Sequence, residues 1–130
     1  MSTTRRIKAS ELPAIRSELV AKQSGKCALC NRDLTKMPPK NICVDHCHDG
    51  GHIRAALCRN CNGMAGKIEN LANRAKATFT RKEWLRRLVE FLDFHEEPRT
   101  PYEHPTHRTP EEKRQQRNAK QRAKRQALKE

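Results

Sequence analysis

Two Cys-x-x-Cys turns, Cys27-Ala28-Leu29-Cys30 and Cys58-Arg59-Asn60-Cys61, stand 27 residues apart. Each turn presents two sulfurs to one ion, and a pair of turns makes a closed, structural four-thiolate zinc site. Between them lies Val44-Asp45-His46-Cys47-His48, and Asn62 follows the last cysteine. Asp45 is a hard oxygen ligand suited to Mg²⁺ or Mn²⁺, and the amide oxygen of Asn62 is a second of the same kind. Imidazole as a group titrates near neutral pH, which makes His46 a candidate general base. His48, two residues on, could orient a substrate or assist the metal. Arg54 and Lys67 are cations that could clamp a phosphate. Together these groups supply what water-driven phosphodiester cleavage needs: a base, a cation and anchors for the backbone.

Plainer roles exist for each residue. His46 or His48 could replace a knuckle cysteine on zinc, or two cysteines could pair in an oxidising compartment. Asp45, His46 and Asn62 could form a satisfied polar turn, with Asn62 capping a helix. Arg54 and Lys67 could be solvated charges. The two remaining cysteines read as a small buried residue, Cys43, and a loop residue, Cys47.

The elements that must position these groups are legible in outline. Ser10 is placed to cap a helix from Glu11 to about Gln23, with Leu12, Ile15, Leu19 and Val20 on its buried face. Gly25 is placed to end it. Residues 32–40 read as a loop. Asn41 to His46 and Gly51 to Leu57 read as two strands joined by the turn Asp49-Gly50-Gly51. In a regular strand Asp45 and His46 face opposite sides, so a shared site requires a bend between them. A helix is expected from the second knuckle to about Lys76, burying Met64, Ile68, Leu71, Ala72 and Ala75. Thr80 and Glu83 form a capping box for another helix, carrying Trp84, Leu85, Leu88, Val89, Phe91 and Leu92 and stopped by Pro98. That helix is apolar on more than one stripe, which predicts either packing on the first two helices or a homodimer interface.

The chain has 130 residues, of which 35% are hydrophobic and five aromatic, so a large core is out of reach and a metal or partner subunit is expected to complete the fold. Its 28 Lys and Arg outweigh 15 Asp and Glu, a net charge of +13 that favours a polyanion such as DNA. No apolar run reaches membrane-spanning length and the start lacks a signal-peptide pattern, so a cytoplasmic protein with reduced thiols is expected. Three regions follow. Residues 1–9 are a mobile basic arm, 10–97 the metal-stapled domain, and 98–130 a Pro-containing linker with a basic tail. Glu111 to Lys129 carries eight Lys or Arg. It is expected to become helical on phosphates and to fray without them, or else to serve only solubility.

The run from the first knuckle through Asp45-His46-Cys47-His48, Gly51-His52-Ile53-Arg54-Ala55-Ala56-Leu57-Cys58 and Cys61-Asn62 resembles the phage recombination endonuclease VII family, within the wider His-Asn-His or ββα-metal nucleases. The resemblance covers roughly residues 11–95. It implies a mainly α, dimeric fold with a short β-hairpin, built as a zinc-stapled ββα-metal nuclease. It further implies that Asp45 and Asn62 bind the catalytic ion, that His46 activates water and that His48 is the family's second histidine. Cys27, Cys30, Cys58 and Cys61 match the zinc ligands. Family members cut branched DNA such as four-way junctions, in recombination and genome packaging. Cys47 and Ala65 depart from the prototype, which has acidic residues at both positions, and the short basic tail replaces a longer C-terminal region.

The sequence thus predicts a Mg²⁺-dependent DNA endonuclease of the Holliday-junction resolvase type. The alternatives are a nicking or homing-type HNH enzyme and a non-catalytic zinc-stabilised DNA-binding module.

Overall fold

A computed structural model describes residues 4–130. It divides into two units, the first ending at Val89 and the second running Glu90–Glu130. In chain order the elements are a 3₁₀ turn Ala9–Glu11, α1 (Leu12–Lys22), a 3₁₀ turn Pro39–Asn41, β1 (Ile42–His46), β2 (Ile53–Cys58), α2 (Arg59–Asn73), α3 (Arg81–Phe94) and α4 (Pro110–Ala127). About half the chain is helical, and the one sheet among the described residues is the antiparallel hairpin β1–β2.

Ser10 does not cap α1 as expected; it lies inside the 3₁₀ turn. Glu11 takes over the work of ordering this entrance. Its carboxylate accepts from the Lys8 N–H at 2.7 Å and pairs with Arg5 at 2.7 Å. Arg5, and then the Lys8 amide, hold its carboxyl down to about 2. Of the expected basic arm, residues 1–3 lie outside the described residues. The far end of α1 closes as the sequence suggests. Ser24 enters the left-handed region at φ 54°, Gly25 follows at φ 77°, and the Gly25 N–H reaches back to the Val20 carbonyl at 2.8 Å.

The core is small and centred on the knuckles. Cys27, Leu34, Ala56, Leu57 and Cys58 are buried, with Leu19, Val20, Met37, Ile42 and Cys61 packed around them. Leu34 comes from the loop 32–40, which an isolated bridge between Lys26 and Asp33 folds back under the first knuckle. Gln23 straps α1 to the hairpin. Its amide nitrogen donates to the Ala56 carbonyl and its oxygen accepts from the Ala56 N–H, both at 2.8 Å.

Within the hairpin, Ile42 pairs with Cys58, Cys43 with Leu57, Val44 with Ala56 and Asp45 with Ala55. The register then slips, so that His46 pairs with Ile53 and Arg54 is left as the extra residue of a β-bulge. The turn closes through the Cys47 N–H on the His52 carbonyl and the Gly51 N–H on the Cys47 carbonyl, each 2.8 Å, with Gly51 at φ 77°. Cys43 is half-buried on β1, not buried as expected.

Helix α2 begins on the second knuckle, where the Cys58 sulfur accepts from the Cys61 N–H. It stops at Asn73, three residues short of the expected Lys76. Its expected buried stripe is corrected as well. Ala72 is buried, but Met64, Ile68 and Leu71 are 48, 45 and 62% exposed. The side of α2 turned to the hairpin carries Gly66 and Glu69, which meet His48 and Arg54.

Thr80 caps α3, its hydroxyl accepting from the Glu83 N–H at 3.2 Å. The Glu83 carboxylate pairs with Arg86 and Arg87 and does not reach back to close the box. On α3, Val89, Phe91, Leu92 and Phe94 are all more than half exposed. The basic tail forms α4. Thr109 caps it by accepting from the Glu112 N–H, Glu111 and Glu112 occupy its first turn, and Lys124 and Arg125 its last. That charge order complements the helix dipole. Among the described residues, no helix is long and apolar enough to cross a membrane.

A methyl group at Gly25 would sit 2.8 Å from the Thr35 Cγ2, on a backbone that disfavours any side chain. Gly25→Ala is therefore expected to destabilise by more than ~1 kcal/mol in urea unfolding. Adding Thr35→Ser removes the obstructing methyl and is expected to restore part of the loss. A neutral Gly25→Ala would contradict the packing described.

Candidate active site and zinc centre

The sulfurs of Cys27, Cys30, Cys58 and Cys61 all lie within 4.8 Å of one another. Those of Cys30 and Cys58 are 3.7 Å apart, and a tetrahedral zinc with bonds of about 2.3 Å sets its sulfurs roughly 3.8 Å apart. No histidine belongs to the group, and all six cysteines are free thiols, so the residues present fit one zinc ion bound by four thiolates. Backbone amides already point at the sulfurs. The Cys58 N–H donates to Cys27 at 3.3 Å and the Cys61 N–H to Cys58 at 3.4 Å. Burial raises the Cys27 thiol, but the N–H groups of Cys30, Cys58 and Leu29 outweigh it and bring that thiol down to about 6. Cys61 is pushed up to about 12 by burial and by the neighbouring thiols. A cation that replaces the protons relieves this crowding.

The second cluster forms where the bulge bends the hairpin. Asp45 is 8% exposed and sits across from Arg54. The Arg54 Nε donates to one carboxylate oxygen at 2.7 Å and Nη2 to the other at 3.1 Å. In a regular ladder neighbouring residues alternate faces. Leaving Arg54 as the extra residue lets its side chain share the side of Asp45. The remaining terminal nitrogen, Nη1, donates to Glu69 on α2 at 3.2 Å. These carboxylates raise the pKa of Arg54, with the Asp45 hydrogen bond foremost. The guanidinium keeps N–H groups to spare for a further anion.

The histidines approach from the turn. The His46 and His48 rings are 5.3 Å apart between centroids, tilted by 52°. His48 lies over α2, with Cε1 3.8 Å from the point where Gly66 would carry a Cβ. Its Nδ1 is 4.0 Å from the Glu69 Oε2. Asn62 is half-buried one turn before Gly66, on the same face of α2. A cleft of about 300 Å³ beside the cluster is lined by Asp45, Arg54, Ala55, Leu57, Ala65 and Glu69, with the first knuckle at its rim.

The structure thus gathers Asp45, Arg54 and His48 around Glu69, sets His46 against His48, and places Asn62 on the adjoining helix face. Lys67 is exposed and makes no ion pair among the described residues. Glu69 escaped the reading of the sequence. Its signal is the helical spacing Asn62, Gly66, Glu69, which marks one face of α2 but does not say which way that face points.

Because the core is built on knuckle cysteines, stripping the ion with a strong chelator is expected to abolish cooperative thermal unfolding of the chain's first unit, as read by circular dichroism. One equivalent of Zn²⁺ is expected to restore the transition and, in weak buffer near pH 7, to release protons, since Cys61 must ionise to bind. An unchanged transition without metal would contradict this.

Comparison with protein-family models adds an independent line. A model described as recombination endonuclease VII matches residues 3–94, a span that takes in both knuckles, the bulged hairpin, α2 and α3. The chain belongs to the recombination endonuclease VII family, and is therefore a nuclease that acts on DNA.

Proposed function

We propose that the chain is a Mg²⁺- or Mn²⁺-dependent endonuclease that cuts branched DNA of the Holliday-junction type as a symmetric dimer, in phage recombination or genome packaging within the host cytoplasm. The observation that carries the reading is the near-buried Asp45 at the bulge, held by Arg54, which also reaches Glu69 on α2. A buried carboxylate is expensive to maintain unless it is used.

In this reading Asp45 and Asn62 hold the divalent ion. Among the described residues the Asp45 carboxylate accepts from Arg54 alone, so its oxygens retain lone pairs for a cation, and the carboxylate–amide donor set suits a hard ion. When bound, the ion supplies charge neutralisation at the phosphate and the leaving oxygen. His46, exposed at the end of β1, takes the proton from the attacking water. His48, the other imidazole of the turn, would assist the ion. Arg54 is fixed by its two carboxylates and offers its spare N–H groups to the backbone, with Lys67 as a second, mobile cation.

The dimer is supported by apolar surface left open in the single chain. On α2 this is Met64, Ile68 and Leu71; on α3 it is Val89, Phe91 and Leu92. Opposed cuts in two strands of a junction need two sites related by symmetry. A second reading, a DNA-binding module without catalysis, draws on the fact that Arg54 covers both oxygens of Asp45. On that view the pair is only structural.

Incubation with Mg²⁺ on matched four-way, nicked and linear DNA separates these readings. Paired cuts confined to the four-way substrate are expected. Asp45→Ala or His46→Ala is expected to lower cleavage by about 10²-fold or more while binding of the same DNA persists. Undiminished cutting by both variants would remove the assigned roles, and absence of Mg²⁺-dependent cutting by the unaltered protein would favour the binding module.

A further inference from the structure

Glu69 is the acidic side chain that touches both arms of the cluster. Its Oε1 accepts from Arg54 at 3.2 Å, and its Oε2 is buried with no hydrogen-bond partner among the described residues, 4.0 Å from the His48 Nδ1. A buried carboxylate oxygen without a donor is costly, so some donor must be within reach. The His48 ring lies 4.0 Å from it and rests on Gly66, where no side chain obstructs a small shift. Closing the gap by about 1 Å brings Nδ1–H into hydrogen-bond range of Oε2. A histidine held through Nδ1–H has its Nε2 free as the acceptor nitrogen.

We propose that Glu69 is the positioning residue of this site: one oxygen holds Arg54 across Asp45, and the other fixes His48 in the tautomer whose Nε2 carries the lone pair. The consequence is a single carboxylate on α2 that sets the orientation of two groups on the hairpin. Asp45 is then oriented indirectly, through Arg54. This inference rests on the reading of Asp45 and His48 as parts of an active site, but its geometric content can be measured without activity.

The test uses the full zinc-loaded chain and the variants Glu69→Ala and Glu69→Gln. The first readout is the His48 tautomer by ¹⁵N–¹H correlation of the imidazole, in the absence of DNA and Mg²⁺. The unaltered chain is expected to show protonated Nδ1. Glu69→Ala is expected to convert His48 to mainly protonated Nε2, and Glu69→Gln, which keeps an acceptor oxygen, to retain Nδ1–H. The second readout is cleavage of four-way DNA with Mg²⁺. For Glu69→Ala, kcat is expected to fall by about 10-fold or more, with KM for DNA within a factor of about two, and Glu69→Gln to recover part of the loss. An unchanged tautomer in Glu69→Ala would overturn the proposal, whatever the cleavage rate. If the unaltered chain does not cleave but the tautomer responds as expected, Glu69 positions His48 and the catalytic reading of the site fails instead.

Discussion

Four sulfurs converging at the junction of β2 and α2 are the constraint on which the first unit depends. Cys58 ends the strand, caps the helix through its sulfur and stands in the zinc quartet. Cys27 brings the end of α1 and the loop carrying Leu34 to the same point. With so few apolar residues, there is little else to fix these segments. A bound ion supplies in one contact set what a larger core would distribute over many side chains. Gln23 adds a polar strap to the same strand, so that α1, hairpin and α2 share one anchor.

The charged cluster is built on that anchor. Asp45 is nearly buried, and an isolated carboxylate there would be strongly disfavoured. The bulge resolves this by bringing Arg54 onto both of its oxygens. Arg54 remains about a third exposed, so the pair is screened on one side and contributes less than a fully enclosed pair would. What it gives is orientation. The same guanidinium reaches Glu69 and ties the hairpin to α2 across the cleft. Stability and site geometry are therefore the same set of contacts.

Much of this was legible in the sequence, and what was not has a physical reason. Cysteine spacing is local, so the two knuckles announce a four-thiolate metal site outright. Asp49-Gly50-Gly51 marks the hairpin, and Thr80 and Gly25 mark helix ends, because each acts on backbone within a few residues. The need for a bend near Asp45 was visible from alternation alone. Its form was not, since the slip at Arg54 depends on which residues pair across the hairpin. The contact of Arg54 with Asp45 and the presence of Glu69 depend on the facing of α2, and the apolar pattern misled there. Met64, Ile68 and Leu71 mark a surface that must be covered, but not whether the cover lies within the chain. Ser10 failed as a cap because Glu11, paired with Arg5, holds the Lys8 amide that begins the turn.

The zinc centre tests the account most directly, since the core, the hairpin and the cluster at Asp45 all rest on it. X-ray absorption at the zinc edge of the purified protein is predicted to show one metal per chain with four sulfur neighbours at about 2.3 Å. A metal bound by nitrogen or oxygen, or a folded chain that carries no zinc, would contradict it.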